Sequence, residues 1–281
     1  MRQRHLPSSV TSQLEEIPTV QFTNAKALLR EINRVSGDFL VVTNVSPIDF
    51  THILEWISKR RRGIRFRRYH ASTGILIITI PTGLHEALHT CIYNAFRDQL
   101  VKKNRERSWR SRGKTTFRGE NGDVGEGDST GGPRPGRTGC KDWPTLVVEA
   151  GDSEPLGELH KDMRWWFSTS SHQVKIVLLV KFDYVRREIL IEKWEEEQPP
   201  RLGATTTRQA ATAFEPVLRQ RVTIARDVAT SPVSYHVTRT ALVLSFRLLY
   251  LRNPGPQEGD FIISIPMLEI FAEDVRLDVL G

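Results

Sequence analysis

The stretch WPTLVVEAGDSE, residues 143–154, sets three large apolar residues in a row, Leu146, Val147 and Val148, and closes them with the acid Glu149. A short apolar run bounded by Trp143-Pro144 before it and Gly151-Asp152-Ser153 after it reads as a central strand covered on both faces. A carboxylate at the end of such a run is costly to bury unless it is paired or bound to a cation. Glu149 therefore binds a partner, sits exposed at the strand end, or caps the turn through Gly151, Asp152 and Ser153.

Downstream of this strand the sequence predicts a helix near Pro155 to Ser168, then strands at Val174–Val180 and Glu188–Trp194. Upstream it predicts a helix over Asn24–Val35, a strand at Phe39–Val42 and a second helix opened by Ser46-Pro47 and closed near Gly63. A hairpin follows over 64–80, turning near Ser72-Thr73-Gly74, and then a long helix from Gly83 to about Lys103. Helices and strands interleaved in this way give an α/β chain with a mixed sheet flanked by helices, rather than a bundle or a sandwich. Residues 1–20 read as a tail and 21–197 as one domain, in which 119–142 form a Gly-rich loop with eight glycines and two prolines. Residues 198–281 read as a sheet extension packed on that domain, with strands at Val222–Ala225, Ala241–Leu249 and Phe261–Ile265.

The 281 residues are 39% hydrophobic, enough for a sizeable core and too many for a wholly disordered chain. Two cysteines, Cys91 and Cys140, build no disulfide scaffold. No apolar run reaches the ~18 residues of a membrane span, so the expected setting is soluble and intracellular, cytoplasmic or nuclear. The net charge of +7 is uneven: residues 1–118 carry 21 Lys and Arg against 9 Asp and Glu, the remainder 19 against 24. Such a basic half favours a polyanionic partner. Its cations gather in 59–68, seven in ten residues, and in 102–118; these are the expected nucleic-acid contacts, although a helix end followed by a solvated strand face would also explain the first.

Two constellations carry chemistry. Asp128, in the Gly-rich segment, and Glu149 are placed to hold a hard divalent cation, Mg²⁺ or Mn²⁺, which would polarise a phosphodiester and activate water. His85-Glu86-Ala87-Leu88-His89 fits HExxH, which on a helix puts two histidines on one face to bind Zn²⁺ with the glutamate as base, as in a zinc metallopeptidase. The third ligand such a peptidase needs has only Glu106 as a nearby candidate. The same helix has an ordinary reading, with Leu84, Leu88, Cys91, Ile92 and Ala95 as its buried stripe and both histidines at the edge. On the helix after residue 155, Leu156, Leu159, Met163, Trp166 and Phe167 form the apolar stripe; Arg164 flanks it and Lys161 points away.

The motifs IPTGLHEALH (80–89), GEGDSTGGP (125–133), WPTLVVEAGDSE (143–154), LHKDMRWW (159–166) and VKIVLLVKFD (174–183) resemble a group of fungal proteins that is itself similar to bacterial restriction-endonuclease-like proteins of the PD-(D/E)XK superfamily. The resemblance covers about 70–195. It implies a restriction-endonuclease-like fold and a metal-dependent nuclease, or a descendant that binds without cutting. By resemblance Asp128 and Glu149 are the two metal-binding acids and Glu86 a helix acid near the metal. Gly127 stands where the motif has Pro, and Gly151 where it has the lysine that positions the attacking water. Arg164 is the expected substitute for that lysine. A non-catalytic interaction module is the remaining alternative.

Overall fold

The computed structural model describes residues 17–59, 64–113, 115–198, 214–227, 234–238 and 240–280. The chain opens with β1 (Thr19–Gln21), α1 (Ala25–Ile32), β2 (Phe39–Thr43) and α2 (Pro47–Ser58), then β3 (Arg65–His70), β4 (Ile75–Thr79) and α3 (Gly83–Lys102). Asn24 caps α1 by accepting from Ala27 N, and Ser46 caps α2 in a reciprocal box with Asp49, with Pro47 in the first turn. Both caps lie where the sequence placed the helix starts. Next come β5 (Trp109–Ser111), β6 (Phe117–Arg118), β7 (Val124–Gly125), β8 (Ser129–Pro133), β9 (Leu146–Gly151), α4 (Leu156–Thr169), β10 (Ile176–Asp183) and β11 (Glu188–Glu197). The chain closes with β12 (Glu215–Asp227), β13 (Ser234–Val237), β14 (Leu242–Leu244), α5 (Phe246–Tyr250), β15 (Phe261–Ile263) and α6 (Ile265–Leu280).

Two mixed sheets result. One has the order β1-β2-β4-β3-β7-β6, the other β13-β12-β11-β10-β9-β8-β5. In the second, β9 and β10 run parallel, joined through α4, while β8 lies antiparallel on the other side of β9. The expected mixed α/β class, with helices flanking mixed sheets, is present. All six residues of β9 are buried. Leu146, Val148 and Ala150 join the core beneath α3 and α6, whereas Val147 joins Leu159, Met163, Trp166 and Phe167 of α4. The period of two therefore sends Glu149 to the α4 face.

Three expectations need correction. The Gly-rich segment 119–142 is not simply a loop: it contains β7 and the wholly buried β8. Its glycines admit large neighbours, since a Cβ at Gly125 would overlap the Trp165 ring and one at Gly131 the side chains of Tyr93 and Trp109. The apolar material of this strand is thus supplied from other elements and is invisible in its own sequence. Ala241–Leu249 is not one strand but β14 followed by α5. The strand expected to end at Ile265 stops at Ile263, and α6 begins there with Pro266 in its first turn. Leu268, Phe271, Ala272 and Val275 form the buried stripe of α6, which packs along α3. Each large member of that stripe contributes roughly 1.5–3 kcal/mol. Among the described residues no helix is long and apolar enough to cross a membrane.

Candidate functional site

The two sheets meet where the chain passes from one to the other. β7 pairs with β3 of the first sheet and β8 with β9 of the second, so residues 126–128 make the crossing. Glu126 N donates to Arg67 O at 2.8 Å, holding the crossing against β3. Asp128 thereby arrives beside β9, where Ala150 N donates to its Oδ2 at 2.9 Å.

Opposite Asp128, the ladder between β3 and β4 slips: Phe66 pairs with Ile78 and Arg68 with Ile77, leaving Arg67 as the extra residue of a bulge. A bulge re-aims the side chain it carries. Phe66, Arg67, Arg68 and Tyr69 are all buried as a result. The Arg67 guanidinium enters a nest of carboxylates: Asp128 Oδ2 at 3.0 Å, Asp162 Oδ2 at 3.2 Å, Glu149 Oε2 at 3.6 Å and Glu154 in direct contact. It also donates to Ala150 O at 2.7 Å. Arg68 pairs with Asp162. Burial opposes the charge of Arg67, but Glu154, Asp128, Asp162 and Glu149 outweigh it and keep the group firmly protonated.

His85 continues the network. Its Nδ1 lies 2.9 Å from Asp38 Oδ2 and its Nε2 3.1 Å from Asp128 Oδ1. Burial alone would lower its pKa, but the two carboxylates push it up to about 10, so both ring nitrogens carry protons. Asp38 is 1% exposed and accepts from Asp152 N, Ser153 N, Ser153 Oγ and Glu154 N as well. Burial pushes its carboxyl up, yet His85 and these donors hold it well below the usual range. Asp128 behaves likewise, lowered by His85 and Arg67 against its burial. Glu149 moves the other way: burial and the negative charge of Asp128 raise it well above the ordinary value. Burial also raises Glu154, to about 8. Five carboxylates thus face three cations, Arg67, Arg68 and His85.

Asp128 and Glu149 do converge, but what lies between them is a guanidinium. Glu149 accepts a bond from Trp166 Nε1 and is fully buried, where burial and Asp128 bias it toward its protonated form. Asp128 has donors on both oxygens. A Mg²⁺ ion keeps several waters and binds ionised carboxylates, so this pair, as arranged, does not fit one. The lysine position is closed too. A Cβ on Gly151 would stand 3.0 Å from Leu159 Cδ1, leaving little room for a longer side chain.

The other expected residues fall elsewhere. Arg164 is exposed, while Asp162, two residues earlier on α4, is the one turned inward; the cation beside the two acids is Arg67, not Arg164. Lys161 is exposed and pairs with Glu158. Glu86 meets Arg65, with nitrogen–oxygen distances of 2.7 and 2.8 Å, rather than Asp128 or Glu149; His89 and Arg65 lower its carboxyl to about 2. His85 and His89 are not at the edge of the α3 stripe but inside it, 0% and 3% exposed. Donor atoms of His85, His89 and Asp128 lie within 4.8 Å of one another, a group of metal-ligating type. Glu106, the third ligand the sequence suggested, is exposed in a short turn of 3₁₀ helix instead. Arg67 and Arg68, expected among the phosphate contacts, are spent on internal pairs. Arg60 to Gly63 lie outside the described residues. In the second basic segment Lys102, Lys103, Arg107 and Arg118 are exposed, while Arg105 pairs with Glu258. Asp38, Glu154 and Asp162 were not singled out by the sequence reading, and Arg67 was assigned to the wrong role, a surface phosphate contact. A bulge and a crossing leave no local pattern, and the only signal was an excess of charge beside apolar runs.

The sequence matches no protein-family model and no curated protein. A solved structure described as a "putative nuclease" of DUF820 from Anabaena variabilis is similar over 53% of this chain and 75% of its own, with a TM-score of 0.33 and 11% identity. At that level nothing of its chemistry transfers.

Proposed function

We propose that this chain is a nuclease-like protein that binds nucleic acid without cutting it, its acidic centre closed by Arg67. The supporting observation is the bulged Arg67 side chain set among Asp128, Glu149, Glu154 and Asp162, where a metal-dependent phosphodiesterase would need an ion and its waters. The buried guanidinium supplies the positive charge that an ion would otherwise bring to these acids, and Asp128 and Glu149 are both buried around it. Binding rests on the uneven charge of the chain and on the exposed Lys102, Lys103, Arg107 and Arg118. Phosphates neutralised there would release counterions, and affinity would fall steeply with salt.

Purified protein incubated with Mg²⁺ or Mn²⁺ and single- and double-stranded DNA and RNA is expected to leave every substrate intact. The same protein should bind at least one of them, with an affinity whose salt slope becomes shallower by roughly 2–3 in a Lys102→Gln, Lys103→Gln, Arg107→Gln variant. Cleavage that disappears in Asp128→Ala would overturn the reading.

A further inference from the structure

We propose that His85, His89 and Asp128 form a binding site for one divalent transition-metal ion of the zinc class. The inference is independent of whether the chain cuts nucleic acid. Three separate parts of the fold build the site: α3 supplies both histidines one helical turn apart, the crossing between the sheets supplies Asp128, and the segment before β2 supplies Asp38 behind them. Imidazole nitrogens with one carboxylate suit zinc and its neighbours rather than Mg²⁺.

The surrounding hydrogen bonds are those of a supported metal site. Asp38 Oδ2, 2.9 Å from His85 Nδ1, fixes that ring so that Nε2 faces Asp128. Carboxylate–histidine pairs of this kind orient metal ligands and strengthen them. Ser129 Oγ, 2.9 Å from His89 Nδ1, does the same for the second ring and leaves its Nε2 buried with no polar contact closer than the long 3.5 Å ion pair to Glu86 Oε2. Asp128 Oδ2 is held by Ala150 N and Arg67, while Oδ1 is turned toward His85. One donor atom from each of the three residues already lies within 4.8 Å of the others. Donors around a tetrahedral zinc ion stand about 3.3 Å apart, so a contraction of up to about 1.5 Å completes the set. Glu86 Oε2, 3.5 Å from His89 Nε2 on a side chain 37% exposed, connects the site to solvent and gives the ion its way in. Binding replaces the proton on His85 Nε2 with the metal, and that proton leaves to solvent.

The full chain, stripped with chelator and titrated with Zn²⁺, is expected to take up one ion and to shift the ring resonances of two of its eight histidines. Co²⁺ in place of Zn²⁺ should give a visible absorption band. His89→Gln and Asp128→Asn should each weaken uptake at least tenfold, while His160→Gln and His172→Gln leave it unchanged. The histidine shifts are read on the unmodified chain, so an unstable variant does not blunt the test. Absence of stoichiometric uptake, or shifts confined to histidines other than these two, would overturn the site. Cleavage of nucleic acid would sink the proposed function while leaving this site standing.

Discussion

Two basic stretches of nearly equal promise in the sequence end in opposite places. Arg67 and Arg68 are each 3% exposed and answer carboxylates from β9, α4 and the segments around them. Lys102, Lys103, Arg107 and Arg118 lie on the surface. Charge density alone does not distinguish a cation that meets a partner from one that serves as an internal counterion. The difference lies in backbone register. One inserted residue in β3 turns Arg67 toward the interior, whereas the chain after α3 remains at the rim. Buried, a guanidinium has its charge fixed and its neighbours ordered; exposed, it is screened and replaceable.

The contrast breaks most readily at Arg67. Arg67→Met removes the cation and leaves carboxylates buried without it, which is expected to cost about 3–5 kcal/mol in urea unfolding. Arg107→Met should stay within about 0.5 kcal/mol of the parent. Equal losses at the two positions would mean that the buried network contributes no more than the surface does.

A smaller effect should appear with pH. Glu154 is flanked by Arg67 of β3, Asp162 of α4 and Asp38 ahead of β2, and burial raises it to about 8 from an ordinary 4.5. The folded chain thus holds a proton that the unfolded chain gives up above its ordinary pKa. Stability from this group is full below about pH 4.5 and is lost as pH rises toward 8. Glu154→Gln keeps the neutral form at every pH, so its melting temperature should gain on the parent by a few degrees between pH 5 and 8.5. A gap that stays constant across that range rules the account out. The smallest expected effect is at Arg164, where substitution by alanine should change stability by no more than about 0.5 kcal/mol and leave nucleic-acid cleavage assays as they were.

Much of the fold was legible because its signals are local. Ser46-Pro47 and Asn24 announce helix starts through the hydrogen bonds their side chains offer. The run Leu146–Val148 announces a strand because only a doubly covered one tolerates three such residues in sequence. β8 was not legible, since Gly131 and Gly132 bring no apolar surface of their own and are covered by Tyr93, Trp109 and Arg137. α6 was missed because its apolar residues continue directly from those of β15, and a short apolar run has no period of its own.

The sequence by itself determined the mixture of helices and strands and the buried strand begun by Leu146–Val148, and it singled out residues 85–89, 128 and 149 as the ones able to carry chemistry. These follow from side-chain transfer energies and backbone preferences within a few residues. Only tertiary structure decided which cation would answer the acids. That choice depends on a bulge, on a crossing between two sheets and on which face of α4 turns inward, all set by packing between elements distant in the chain. Charges brought together in a dry interior are then balanced by whichever groups the packing delivers, and here the packing delivers Arg67 and His85.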